Sequence, residues 1–323
     1  MKVLLVTENE AGQRLDKLLL KYLNEASSSF LFKMLRKKNI TLNGKKAVGN
    51  EKLVVGDEIK LFLSDETIEK FSSQKNHSAS KHTNVKLDII YEDTDILLIN
   101  KPSGMLSQKS AAGDVSLNEY CLDYLLDTGA ITTESLKTFK PSVCNRLDRN
   151  TSGIVIFGKS LRGTQAMSEA LKNRTLHKYY QCIVIGKVDK AQLIKGYLIK
   201  NEATNQVQIS DIELPDADYI ETRYQPLQWG EDYTLLEVEL ITGKPHQIRA
   251  HLASIDRAII GDYKYGNRSI NNRYREQYGV TSQLLHSYRL VMPVLGGEMS
   301  HLSEREFKTE LPSEFRQIIE MPQ

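Results

Sequence analysis

The sequence predicts an α+β protein in which a small basic α/β unit precedes a larger unit with a mixed, mainly antiparallel sheet. Its 323 residues, 40% hydrophobic and 26% charged, suffice for two domains with their own cores. Residues 12–63 hold eleven Lys or Arg and five Asp or Glu, a net charge of +6 that leaves −4 for the rest. In the second part, predicted strands follow one another too often without a crossover helix for a doubly wound sheet.

The small unit, residues 12–63, shows the pattern of two helices followed by two turns. Apolar residues repeat at helical spacing from Leu15 to Leu23, and the serines at 27–29 can cap a second helix. Asn43-Gly44 and a Gly-Asp pair at 56–57 predict turns around strands at 40–42 and 58–63. The second helix would expose four basic side chains, namely Lys33, Arg36, Lys37 and Lys38.

This order of elements resembles the S-four RNA-binding domain, named after a ribosomal protein of the small subunit. The resemblance implies that the basic helix face meets an RNA backbone, where each neutralised phosphate releases a counterion. The alternative is that these charges form only a solvated, solubilising helix face.

The chain after residue 63 begins with a polar stretch. Residues 64–84 are rich in Ser, Lys, Asn and Glu, which predicts a flexible linker before a unit spanning 85–323. In that unit, apolar runs predict strands at residues 89–91, 96–99, 154–157, 179–185 and 233–240, with a helix over 161–171.

Several classes of protein are disfavoured by what the sequence lacks. No apolar run reaches the ~18 residues of a membrane span. The hydrophobic stretch near the N-terminus is too short for a signal peptide. Three widely spaced cysteines, Cys121, Cys144 and Cys182, predict reduced thiols in a cytoplasmic protein. Glycine-rich phosphate motifs and zinc-type histidine pairs are missing, so we expect no metal, nucleotide or redox cofactor.

The stretch from 145 to 157 is the best candidate for chemistry. Asp148 lies between Arg146 and Arg149, and a Thr-Ser-Gly turn at 151–153 leads into a buried strand. An isolated Arg-Leu-Asp would more often be a simple turn. Here a core strand would present the acid rigidly, and the flanking arginines suit a polyanionic substrate.

These residues resemble the signature of the RluA/RluC/RluD family of RNA pseudouridine synthases. The resemblance spans nearly the whole chain, and the small unit in front matches the layout of the RluC and RluD branches. It implies the pseudouridine synthase fold for residues 85–323. The other segments that carry it lie at 91–93, 100–105, 178–180, 243–252, 261–262, 265–266 and 285–286.

The resemblance implies a role for individual residues. Asp148 matches the catalytic aspartate and Arg249 its partner, whose charge would keep the carboxylate ionised. Tyr180 matches the tyrosine that stacks on the target base, although a strand tyrosine could simply pack in the core. Ile248 matches the apolar residue on the other face of the base, and Arg146 the side chain that replaces the flipped uridine in the RNA stack. Lys178 belongs to the same substrate-binding set.

The implied reaction is the isomerisation of uridine to pseudouridine in RNA, most simply large-subunit ribosomal RNA. The base–sugar bond breaks, the base turns, and it rejoins through carbon 5, so a single carboxylate suffices without a cofactor. The base must first leave its stack. Whether the aspartate attacks the sugar, adds to the base or removes a sugar proton stays open.

Two other functions stay open from the sequence: a synthase for transfer RNA, and a non-catalytic RNA-binding or ribosome-assembly protein. We expect a monomer that binds RNA and no membrane. Three positions depart from the family pattern and bear on RNA engagement: Asn145 and Gln108 where the family often has His, and Lys244 where it has Arg. Asn145 can still brace the turn.

Overall fold

A computed structural model describes residues 1–72, 85–111, 113–201 and 206–320. The strands of these residues are β1 (Lys2–Leu5), β2 (Ile40–Leu42), β3 (Lys45–Lys46), β4 (Glu58–Leu61), β5 (Ile89–Glu92), β6 (Ile96–Lys101), β7 (Ser142–Val143), β8 (Ser152–Gly158), β9 (His177–Ile185), β10 (Gln192–Asn201), β11 (Gln206–Ser210), β12 (Asp218–Trp229), β13 (Tyr233–Leu240), β14 (Leu285–Val291) and β15 (Glu306–Lys308). The α-helices are α1 (Leu15–Tyr22), α2 (Ser28–Arg36), α3 (Asp65–Phe71), α4 (Leu117–Asp127), α5 (Leu161–Lys172), α6 (Gln247–Ser254), α7 (Arg268–Tyr278) and α8 (Ser313–Ile319).

The small unit has a four-stranded antiparallel sheet in the order β1-β4-β2-β3, with α1 and α2 packed on a common apolar core. The serine predicted to cap the second helix does so, because the Ser27 hydroxyl accepts the Phe30 N–H at 3.2 Å. The Asn43 amide donates to Asp57 at 2.8 Å and thereby joins the two predicted turns.

The small unit is larger than residues 12–63. Strand β1 precedes that range, and α3 occupies residues for which the sequence predicted a flexible linker. The prediction is wrong there because Ile68 and Phe71, three residues apart, pack against the core of the small unit, and Ser64 caps the helix by accepting the Thr67 N–H. The rest of the predicted linker, residues 73–84, lies outside the described residues.

The large unit contains an eleven-stranded sheet, which confirms the α+β class. Nine strands follow the order β11-β10-β12-β13-β9-β14-β8-β6-β5, while β15 pairs with β14 and β7 with β8. Among these strands only β14 and β8 run parallel, so the sheet is mixed and mainly antiparallel.

Both faces of this sheet are covered. Leu97 and Ile99 of β6 belong to one buried cluster, whereas the alternate residues Ile96 and Leu98 belong to another. Because successive side chains of a strand point to opposite faces, β6 is buried on both sides. The central strands therefore form a rigid support for the loops at their ends.

The two units touch through polar side chains. The Thr138 hydroxyl donates to Glu10 at 2.6 Å, and Lys2 forms an ion pair with Glu134 at 3.4 Å. Across the described ranges, every helix falls short of the length and apolar character needed to cross a membrane.

Candidate active site

A cleft of about 920 Å³ opens on the large unit, and its charge is strongly one-sided. Of the lining residues that the structure describes, nine are Lys or Arg and one is acidic. The acidic residue is Asp148. The basic residues are Lys109, Arg146, Arg149, Lys172, Arg174, Lys178, Lys200, Lys244 and Arg249. The positive charge of this lining attracts a polyanion, and Asp148 would then face the bound polyanion.

Asp148 lies in the loop between β7 and β8, and side chains from a neighbouring segment hold this loop by donating to its backbone carbonyls. The Ser107 hydroxyl donates to the Leu147 carbonyl at 2.9 Å, and the Lys101 ammonium donates to the Arg149 carbonyl at 3.0 Å. The Ser103 hydroxyl bonds the Asn150 carbonyl at 2.9 Å. The segment after β6 therefore fixes the loop on both sides of the acid.

The start of β8 approaches β14 so closely that only glycine fits at position 153. Its φ is +110°, and a Cβ there would lie 2.2 Å from the Ser287 carbonyl oxygen. Next to it, the Ser152 hydroxyl and His286 Nδ1 are hydrogen-bonded at 2.8 Å. The Thr-Ser-Gly turn of the sequence is thus the contact that seats the Asp148 loop on the central sheet.

Arg249 on α6 joins two carboxylates. Its Nη1 donates to Asp148 at 2.7 Å, while Nε and Nη2 donate to both oxygens of Asp262 at 2.7 and 2.9 Å. Asp262 is almost completely buried and also accepts the Lys264 N–H at 2.9 Å. Because a bidentate pair fixes the plane of a guanidinium, Asp262 orients the nitrogen that holds Asp148.

The two carboxylates favour the charged form of Arg249. Burial alone would lower the pKa of Arg249, but hydrogen bonds and charge from Asp262 and Asp148 raise it above its ordinary value. The side chain of Asp148 keeps 26% of its surface exposed, compared with 9% for Arg249. The Asp148 carboxylate is therefore fixed by Arg249 on its buried side and accessible from the cleft.

Lys101 is a second buried cation next to this loop. Burial lowers its pKa to about 7, and the charge of Asp148 acts in the opposite direction. Its ammonium donates to three carbonyls, those of Pro102, Met105 and Arg149, at 3.0, 2.8 and 3.0 Å. Three acceptors match the three N–H bonds of an ammonium, so the site is built for the charged form.

His246 stands on the other side of Asp148. Its Nε2 is 3.9 Å from Asp148, and its Nδ1 is 2.8 Å from the Tyr265 hydroxyl. That hydroxyl oxygen accepts the Val207 N–H at 3.0 Å, which leaves its own hydrogen to donate to Nδ1. Burial lowers the pKa of His246, so the neutral ring carries its hydrogen on Nε2, facing the acid.

All six residues predicted for catalysis and substrate binding line the cleft. These are Asp148, Arg249, Tyr180, Arg146, Ile248 and Lys178. Tyr180 and Ile248 are 5% and 4% exposed and also belong to the main core cluster, so packing and cleft lining coincide at these residues. Arg146 is exposed at the rim.

The three departures from the family pattern also line the cleft. Asn145 braces the turn by accepting the Ile156 N–H at 2.7 Å. Lys244 pairs with Asp218. The four basic residues of α2 and its C-terminal end are exposed on the small unit and are not among the cleft residues.

The sequence did not assign a role to Lys101, Ser107, Asp262 or His246. One signal could have pointed to them, since these residues lie within or beside segments that carry the family resemblance. Their function depends on contacts across the sheet, which no spacing in the sequence reveals.

Comparison with known proteins agrees with this architecture. The family model described as RNA pseudouridylate synthase matches residues 95–254. A Mycoplasma genitalium protein named an uncharacterized RNA pseudouridine synthase is 30% identical over 98% of both chains. "Ribosomal large subunit pseudouridine synthase C" of Vibrio cholerae is 29% identical over 87% of this chain and 85% of that protein.

The solved structure "Human RNA Pseudouridylate Synthase Domain Containing 4" shares the fold. Its TM-score is 0.57 at 20% identity, over 73% of this chain and 94% of that one. A basic cleft around a carboxylate on a mixed sheet suits an enzyme that acts on a polyanion. The chain belongs to the RluA-type family of RNA pseudouridine synthases, which are isomerases, and this confirms the family and enzyme class expected from the motifs.

Proposed function

We propose that this protein isomerises specific uridines of large-subunit ribosomal RNA, with Asp148 as the catalytic residue. The supporting observation is that Asp148, the single acid among the described residues that line the cleft, is hydrogen-bonded to Arg249 and still faces the open cleft. An ionised carboxylate in this position can act as nucleophile or base on a nucleoside delivered to it.

The walls of the cleft suit a flipped uracil. In this proposal the base leaves its RNA stack and lies between the Tyr180 ring and Ile248, where one stack contributes about 1–3 kcal/mol. Arg146, exposed at the rim, enters the gap left in the RNA. Isomerisation exchanges one base–sugar bond for another without gain or loss of atoms, so we propose that no cofactor takes part.

We propose ribosomal RNA as the substrate for two reasons: the name of the Vibrio cholerae relative, and the basic unit that precedes the catalytic unit. We propose that residues 1–71 form an S-four-type RNA-binding domain. The three cysteines form no disulfide, in line with a cytoplasmic enzyme.

The test uses ribosomal RNA tritiated at carbon 5 of uridine. The wild-type protein should release tritium, and Asp148→Asn should release none while its RNA affinity changes less than about twofold. Asp189→Asn, at an exposed surface aspartate, is the matched control and should keep full activity. Full activity of Asp148→Asn would overturn the site assignment.

The substrate is tested separately. Mapping pseudouridine in cells with and without the gene should reveal sites that disappear from large-subunit ribosomal RNA. Loss of sites only from transfer RNA would assign the enzyme to that substrate instead.

A further inference from the structure

One end of the cleft concentrates positive charge around Lys178. This residue lies on β9 two positions before Tyr180, so both side chains leave the same face of the strand. At about 3.3 Å per residue, their Cα atoms are roughly 6.6 Å apart. A group bound by Lys178 therefore lies next to a base that stacks on Tyr180, on the same face of β9.

Lys178 has no counter-ion among the described residues. Within residues 1–72, 85–111, 113–201 and 206–320, no hydrogen bond or ion pair of its ammonium is found, although the side chain is half-buried. Burial lowers its pKa, and the charge of Arg174 lowers it further. Gly243 leaves the space for the ammonium, since a Cβ there would lie 3.2 Å from Nζ.

Arg174 and Lys172 extend this charge at the turn between α5 and β9. Both are exposed and line the cleft, and Arg174 adopts a left-handed φ of 59°. The carboxylate of Glu221 feels the charge of Arg174, but it already bonds the Tyr219 hydroxyl at 2.7 Å and Lys195 at 3.2 Å. Lys244 differs from this group because Asp218 already neutralises it.

We infer that Lys178, Arg174 and Lys172 form a binding site for a phosphodiester group of the RNA backbone next to the flipped uridine. The inference rests on the proposed function for the position of the base. A partly desolvated cation with a second cation beside it is costly unless an anion joins it. The phosphodiester is the anion that an RNA strand brings into this cleft.

The experiment measures RNA affinity against salt in the full-length Asp148→Asn background, so that no turnover interferes. The probe is a short single-stranded oligouridylate. On a single strand, each lost phosphate contact reduces the magnitude of the slope of log affinity against log salt by about 0.7. Lys178→Met should therefore reduce the slope by about 0.7 and weaken binding about tenfold at low salt, while Lys178→Arg should retain both the slope and the affinity.

Arg174→Met is the second variant, since its side chain is exposed on a turn and its loss does not threaten β9. It should also reduce the magnitude of the slope by about 0.7. Lys187→Met, at an exposed lysine paired with Asp189, is the charge-matched control and should leave the slope unchanged.

Two results would overturn the inference: an unchanged slope in both Lys178→Met and Arg174→Met, or an equal drop in Lys187→Met. An oligouridylate with a single neutral methylphosphonate linkage, moved stepwise along the probe, gives an independent check: at one position wild-type affinity should fall to about that of Lys178→Met on the charged probe, and the variant should lose less there. Failure of tritium release by the wild type would reject the proposed reaction while leaving this binding result intact.

Discussion

The two basic regions of the molecule use the same residue types in opposite ways. On the small unit, Lys33, Arg36, Lys37 and Lys38 are exposed and form no ion pair with another described residue. At the catalytic unit, Arg249 lines the cleft and Lys101 lies beside the Asp148 loop; both are buried, and each donates three hydrogen bonds. Exposed cations supply salt-dependent attraction, whereas buried cations with fixed acceptors supply geometry.

The largest expected effect is on stability and concerns Lys101. Lys101→Met leaves three carbonyls without their donor and should lower the free energy of unfolding by about 4 kcal/mol. Lys60→Met, in the solvent-accessible pair of Lys60 with Glu58 on the small unit, should cost less than about 1 kcal/mol. Urea unfolding followed by circular dichroism compares the two, and equal losses would break the contrast between the regions.

The next effect is on catalysis. Asp262→Asn removes the charge that orients Arg249 and should lower kcat about 100-fold, or about 2.7 kcal/mol, with little change in KM. Asp232→Asn, in a surface pair with Arg273, should keep kcat within a factor of two. An unaltered kcat in Asp262→Asn would show that the Asp148–Arg249 contact holds without its buried support.

Mild acid should destabilise the large unit more than the small unit. Burial lowers the pKa of His251 and of His286 to about 4 each, below the ordinary value of 6.5, while residues 1–72 contain no histidine. Between pH 6.5 and about 4, these two histidines are protonated in the unfolded chain but stay neutral in the folded large unit. The free energy of unfolding of the large unit therefore falls as the pH falls.

The expected loss is about 1 kcal/mol for each histidine, or about 2 kcal/mol in total, between pH 6.5 and 5.5, because the unfolded histidines are already half protonated at pH 6.5. Fluorescence of Trp229, the single tryptophan, reports on the large sheet, and hydrogen exchange of residues 1–72 reports on the small one. His286→Gln should reduce the slope, and a pH-independent midpoint in the wild type would contradict the assignment.

The smallest effect belongs to the small unit. Replacing Lys33, Arg36, Lys37 and Lys38 by Gln should weaken RNA binding about tenfold and lower the salt slope, while kcat at saturating RNA stays unchanged. An unchanged salt slope would mean that these side chains only keep the protein soluble. A fall in kcat would instead mean that these side chains help to position the RNA for the chemical step.

Much of the fold could be predicted from local patterns. The cap of α2 and strands β6, β8, β9 and β13 follow from capping residues and short apolar runs, which act over a few neighbours. Helix α3 was missed because two apolar residues in a polar stretch give a weak signal until the core is present. Strands β10 to β12 were not predicted from the mixed polar segment that forms them.

The sequence by itself determined the family and the residues around Asp148, because ordered motifs preserve the chemical groups that the reaction needs. The tertiary structure alone decided how those groups are held. The bond from Arg249 to Asp148 joins residues 101 positions apart, and the support from Lys101 reaches Arg149 across 48. Such contacts depend on which strands become neighbours in the sheet, and that pairing is a property of the whole packed chain.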